Sequence, residues 1–303
     1  MSRRQPHQLW DGPGLSPGLL YLRVEQDVIR QVIDDLRDAS ADAERRIVRL
    51  SMREGLGSVV RRAQLSSIRR ELHLVQTTLW RSIGGRIRTN GSQIALAASL
   101  AEEHMEEALF RLVRRGIPEP LLRAQRAYAQ RVVTTYFGRS AHRVPLSERV
   151  FRSERLASGW VDRAINRVIL QGGSWQEMAA SVRPVIHPDT PGGVSYAAKR
   201  LARTELNNAF HEAGKQTARA NPYVVAMRWH LSMTHVFVPG TDEICEQYAT
   251  AKDFAPAAVP DKPHPQCLCY TAPVPMDEDD FLRSLLQSPP DDVADHFGQA
   301  QTA

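Results

Sequence analysis

The residues able to do chemistry gather toward one end of this 303-residue chain: its three cysteines, Cys245, Cys267 and Cys269, lie close to His264. Thiolates and imidazoles are the soft donors a tetrahedral zinc ion takes, so these four form a candidate structural zinc site. His235 and Asp242 are spare donors. In a strand, Cys267 and Cys269 would point to one face and reach the same ion. The Cys-x-Cys pair with a lone third cysteine departs from the usual spacing of structural zinc sites. The competing reading is a core packed with free thiols, with His264 bonded to a loop carbonyl. An ion with an open position would instead activate water, which makes a zinc-dependent nuclease or hydrolase the alternative function. Its general-base candidates are His235 and Glu205. Glu205 and His211 lie on nearby turns of one helical stretch, though not on one face. No Ser-His-acid order, phosphate-cradling glycine loop or His-Glu-x-x-His motif occurs, so a catalytic site is not expected.

The elements that must position these residues follow from pattern. Val24, Val28, Val32, Leu36, Ala39, Ala43, Ile47 and Leu50 recur every three or four positions and predict one long helix. Leu65, Ile68, Leu72, Val75 and Leu79 repeat in a coiled-coil rhythm. Gly84-Gly85 and Asn90-Gly91 then punctuate the chain. Further helices are predicted near 93–115, 119–137, 147–171 and 174–182. His187 to Gly193 (HPDTPGG) reads as a linker and 194–220 as a long helix ended by Asn221-Pro222. Tyr223 to Leu231 is rich in β-branched and aromatic residues and predicts a strand. A short helix over 242–251 starts from Thr241 or Asp242 as N-cap. The proline-rich stretch 254–266 reads as a loop and Cys267 to Val274 as a second strand. The expected fold is mainly α, an elongated helical bundle followed by a compact α+β unit carrying the Cys/His cluster. Its divisions are an extended N-terminal arm (1–18), a helical domain (19–187), an α+β domain (188–276) and an acidic tail (277–303). That tail, with Phe281, Leu282, Leu285 and Leu286 at helical spacing, either docks on a partner or folds back on the chain's own basic helices.

Composition bounds the function classes. With 42% hydrophobic and 24% charged residues the chain is a globular one. No apolar run approaches the roughly 20 residues of a membrane span. The N-terminal stretch lacks the apolar core of a secretory signal, and three late cysteines suit a reducing compartment. The net charge of +5 is unevenly spread. Residues 1–228 hold 36 basic and 22 acidic residues, a net +14, whereas 229–303 hold 3 and 12, a net −9. Only Lys199, Lys215, Lys252 and Lys262 among the cations are lysine. Arginine suits phosphate contacts, and a GC-rich genome enriches it equally well. Candidate nucleic-acid contacts on the helical half are Arg45, Arg46, Arg49, Arg61, Arg62, Arg69, Arg70, Arg114 and Arg115. Any one of them equally fits a solvated helix face.

Four segments occur in order: Arg203-Thr204-Glu205, Trp229 in a strand, Asp242 with Cys245, and His264-Pro265-Gln266-Cys267-Leu268-Cys269. In these the sequence resembles the phage Mu F-like minor head proteins, the phage head morphogenesis family. The resemblance covers about a quarter of the chain, with Leu268 standing where the family commonly has arginine. It implies a virion protein made in the host cytoplasm and carried in the capsid interior. It also implies portal and capsid proteins as partners and a role in head assembly. A basic helical half would touch packaged double-stranded DNA through phosphates, without sequence preference. An assembly factor absent from the finished particle is a further reading. The resemblance makes Arg203, Thr204, Glu205 and Trp229 structural residues, with Arg203 and Glu205 expected to brace their helix against the strand of Trp229.

Overall fold

The computed structural model describes residues 17–53, 60, 64–138, 145–232, 235 and 244–300. The expected N-terminal arm up to residue 16, Arg61, Arg62, and the N-cap candidates Thr241 and Asp242 lie outside them. The architecture is mainly α with one small antiparallel sheet. In order come α1 (Pro17–Arg53), α2 (Leu65–Thr89), α3 (Gly91–Leu112), α4 (Glu119–Phe137), α5 (Leu146–Leu170), α6 (Trp175–Ile186) and α7 (Gly193–Ala220). There follow β1 (Val224–His230), α8 (Ile244–Ala251), β2 (Asp253–Phe254), β3 (Tyr270–Pro275), α9 (Glu278–Gln287) and α10 (Pro290–Gln299). No helix among the described residues is long and apolar enough to cross a membrane.

The chain divides into two compact units that alternate along it. A helical unit takes 26–89 and 144–203, and a sheet unit takes 1–25, 90–143 and 204–303. This differs from the successive domains expected from the sequence. The supposed linker lies inside the helical unit, where Ser195 Oγ and Lys199 Nζ both donate to Pro188 O, at 3.1 and 3.0 Å. Two of the four divisions fall within α1 and α7, whose 37 and 28 residues make them long enough to contribute to both units.

In the helical unit the stripes read from the sequence are the core. Val28, Val32, Leu36, Ala43 and Ile47 of α1 are buried, as are Ile68, Leu72, Val75 and Leu79 of α2. Each such Val, Leu or Ile contributes about 1.5–3 kcal/mol by leaving water. Gly84-Gly85 does not interrupt α2. A Cβ at Gly84 would stand 3.2 Å from Val150 Cγ2, so glycine there permits close approach to α5. Asn90-Gly91 does separate α2 from α3. Ser174 and Glu177 form a reciprocal capping box that starts α6.

In the sheet unit β1 is central, in the order β2-β1-β3, antiparallel to both neighbours. A bulge between Val224 and Ala226 adds one residue to β1. The extra residue shifts the alternation, so that Val224, Met227 and Trp229 are all buried. The acidic tail folds back on its own chain, and it does so through aromatic packing. Phe281 lies against Phe110 and Tyr223, with ring centroids 5.3 and 5.4 Å apart. Phe297 packs on Tyr128 at 5.8 Å, and Arg131 Nη2 donates to Phe297 O at 2.6 Å. Leu282 and Leu286 remain exposed.

Candidate metal centre

Three local features bring the cysteines together. Cys245 sits on the first turn of α8. Cys267 and Cys269 precede β3 and do not lie within it, a correction to the strand expected from Cys267. The chain there still alternates: both thiols are buried and Leu268 between them is half-buried. The turn that delivers them is held from α7. Gln266 has a left-handed φ of 61°, and its N–H donates to Thr204 Oγ1 at 3.2 Å. A non-glycine residue in that region costs roughly 1–2 kcal/mol, so the turn needs an outside partner.

The three thiols form one buried core with Trp229, flanked by Leu231, Tyr248, Ala249 and Phe254. Cys245 Sγ lies 3.5 Å from Cys267 Sγ and 3.6 Å from His264 Nε2. Cys269 Sγ lies 3.8 Å from His235 Nδ1. Two triads result, Cys245-His264-Cys267 and His235-Cys245-Cys269, each with donor atoms within 4.8 Å of one another. A tetrahedron with Zn–S of about 2.3 Å and Zn–N of about 2.0–2.1 Å has edges of about 3.8 and 3.6 Å. The three closest separations, 3.5, 3.6 and 3.8 Å, lie within about 0.3 Å of those edges, and this Cys/His group could hold a metal ion. The spare donor His235 is thus part of the cluster.

Both rings have their other nitrogen engaged. His235 Nε2 faces Glu246 Oε1 at 3.3 Å, and His264 Nδ1 faces Pro265 O at 3.1 Å. A carbonyl only accepts, so Nδ1 of His264 carries the proton and Nε2 presents its lone pair to the thiols. A hydrogen bond from Cys267 holds the Cys269 thiol down to about 5, while burial pushes Cys245 up to about 11. Cys267, which gives that hydrogen bond, is raised. Lys262 Nζ donates to Cys269 O and stands 5.4 Å from the Trp229 ring centroid. Burial pushes its ammonium down to about 8.

Behind Trp229, His211 meets the indole edge-on at 5.7 Å. Its Nε2–H donates to Pro260 O at 2.8 Å. Glu205 is buried, and its carboxylate accepts from Tyr136 on α4 at 3.3 Å. The bond from α7 to the Cys/His turn comes from Thr204. Glu205 and His211, on nearby turns of α7, hydrogen-bond to Tyr136 and Pro260 respectively.

The arginine candidates separate by surroundings. Arg46 bridges Asp42 and Glu71 at 2.8 and 2.6 Å, and Arg69 bonds Asp162 and Asn166 at 3.1 and 3.3 Å. Both join helices within the helical unit. Arg45 pairs with Asp42 at 3.5 Å. Arg49 and Arg70 are exposed with no ion pair among the described residues. Arg114 and Arg115 belong to the sheet unit, at the end of α3, with Arg114 at φ 56°.

Sequence reasoning missed Glu246 and Lys262, since a carboxylate beside a cysteine and a lysine before a proline carry no signal of their own. It also missed a buried network on α3, where Asn221 Nδ2 donates to Glu102 Oε2 at 2.9 Å and Glu106 Oε1 at 2.8 Å. The available signal was a Glu pair four residues apart on the apolar face of Ala98, Met105 and Leu109. Compared with known protein families, with curated proteins and with solved structures, the chain finds no significant match.

Proposed function

We propose that the chain is a minor head protein of a phage, a structural component of head assembly whose C-terminal core is tied together by one zinc ion. One observation supports this above the others: the segments that carry the resemblance converge. Thr204 of the Arg-Thr-Glu helix holds the turn of His264 to Cys269, and Trp229 packs with all three cysteines. Segments as far as 62 residues apart had no local reason to meet.

Cys245, Cys267 and Cys269 with one histidine would hold the ion. Three thiolates around a divalent cation leave one negative charge, which the Lys262 ammonium at Cys269 O offsets. Four protein donors fill a tetrahedral zinc, so its role in this reading is to cross-link α8 and the β3 approach, and not to activate water. Portal and capsid proteins are the proposed partners, in the host cytoplasm during assembly and in the capsid interior afterwards. Contact with packaged DNA would run through exposed arginines such as Arg49 and Arg70.

Protein purified without chelator is expected to contain about one equivalent of zinc, and its melting temperature to fall on chelation. Metal-free protein whose melting temperature ignores chelator would remove the zinc. Mass spectrometry of purified particles and assembling heads tests the role itself. Absence from both would overturn it, and metal-dependent nuclease activity lost in His235→Ala would favour the hydrolase.

A further inference from the structure

The cluster offers five donors, three thiols and two imidazoles, where a tetrahedral ion takes four. The two histidines are built differently. His235 is enclosed, its side chain only 9% exposed. Its Nε2 is held by Glu246, a residue of α8 adjacent in sequence to Cys245. Ligand and orienting carboxylate are therefore fixed by the same short helix, and Nδ1 is left facing Cys269. His264 is exposed, on the turn between Pro263 and Pro265. Its Nδ1 is tied only to the carbonyl of its own neighbour, and its Nε2 meets Cys245 Sγ at 3.6 Å, so no carboxylate from another element orients the ring as Glu246 orients His235. Cys245 belongs to both triads. An ion that meets the exposed His264 together with the buried Cys245 and Cys267 can reach the donors His235 and Cys269 without leaving Cys245.

Resting on the zinc reading above, we propose that His235 is the permanent nitrogen ligand, positioned by Glu246, and that His264 is the entry ligand. His264 receives the ion from solvent together with Cys245 and Cys267, then yields its place to His235. The resident set is then His235, Cys245, Cys267 and Cys269. Retention of the metal depends on the Glu246–His235 pair, and its rate of uptake and loss depends on His264. Outer carboxylates of this kind orient the ring and raise its basicity as a ligand.

The test uses the full chain, stripped of metal under reducing conditions and reloaded with zinc or cobalt(II). Affinity is read by competition with a chromophoric chelator, and rates by stopped flow. In His264→Ala, uptake and release slow together while one equivalent of zinc still binds with wild-type affinity. In Glu246→Gln, affinity falls 10–100-fold and uptake stays fast. The cobalt visible spectrum keeps its wild-type form in His264→Ala and changes in His235→Ala. Loss of the metal in His264→Ala, or uptake at the wild-type rate, would overturn the assignment. Because that ring is exposed, the variant decides the matter even if His235→Ala fails to fold. Wild-type protein that binds no zinc at all would instead overturn the metal reading on which the proposal rests.

Discussion

His211 shows how one buried side chain ties the candidate site to pH. Burial, helped by the nearby Lys262 and Lys215, holds its imidazole down to about 3 from an ordinary 6.5, while Pro260 O and Asp261 pull the other way. The folded protein thus resists a proton that the unfolded chain accepts below about pH 6.5. Stability from His211 is complete above that pH and is lost as pH falls toward 3. In His211→Gln, whose amide can still donate to Pro260 O, the unfolding midpoint should depend less on pH across this window. An unchanged slope would show that other groups govern it. Glu106 acts oppositely, because burial raises it to about 7, so its contribution declines as pH rises from 4.5 to 7. A titration of Glu106→Gln beside the wild type separates the two.

At the level of elements, backbone geometry decides more than side-chain chemistry. Gly193 opens α7 at φ 58°, and a Cβ there would stand 2.8 Å from Val185 O. Gly193→Ala adds an unfavourable left-handed conformation to a clash with backbone that cannot swing aside. It is expected to destabilise by about 1–3 kcal/mol, measured by chemical unfolding; a neutral result would mean that the start of α7 can shift. The same logic explains Gly84 inside α2. Gly84-Gly85 reads as punctuation when only local freedom is considered, and its other use, a close approach to Val150, depends on a residue 66 positions away.

Across the whole molecule, the compact units redistribute the charge that the linear sequence seemed to divide. The helical unit holds 22 basic and 13 acidic residues, a net +9, and the sheet unit 17 and 21, a net −4. Arg123, Arg126 and Arg131 of α4 count with the acidic tail, and Arg126 is occupied by Glu103 at 2.7 and 2.8 Å. The polyanion-facing candidates narrow to exposed arginines of the helical unit. The full chain should retard duplex DNA at low salt and release it as salt rises. Arg49→Gln with Arg70→Gln should weaken binding and flatten its salt slope, whereas absence of any shift at low salt would remove DNA as a partner.

What the sequence alone determined follows from short-range periodicity. The apolar stripe from Val24 to Leu50 had to become a helix with one buried face, because spacings of three and four residues align side chains whatever the fold. The soft donors at 245, 264, 267 and 269 were likewise legible, since thiol and imidazole chemistry belongs to residue type. Only the tertiary structure decided that His235 joins them, that Glu246 orients it, and that Thr204 holds their turn. These contacts span 11 to 62 residues, a distance over which no local pattern constrains the chain. The alternation of the two units was hidden for the same reason. Units are defined by which faces bury each other, and HPDTPGG, which looks like a boundary, is tied to α7 where Ser195 and Lys199 donate to Pro188 O.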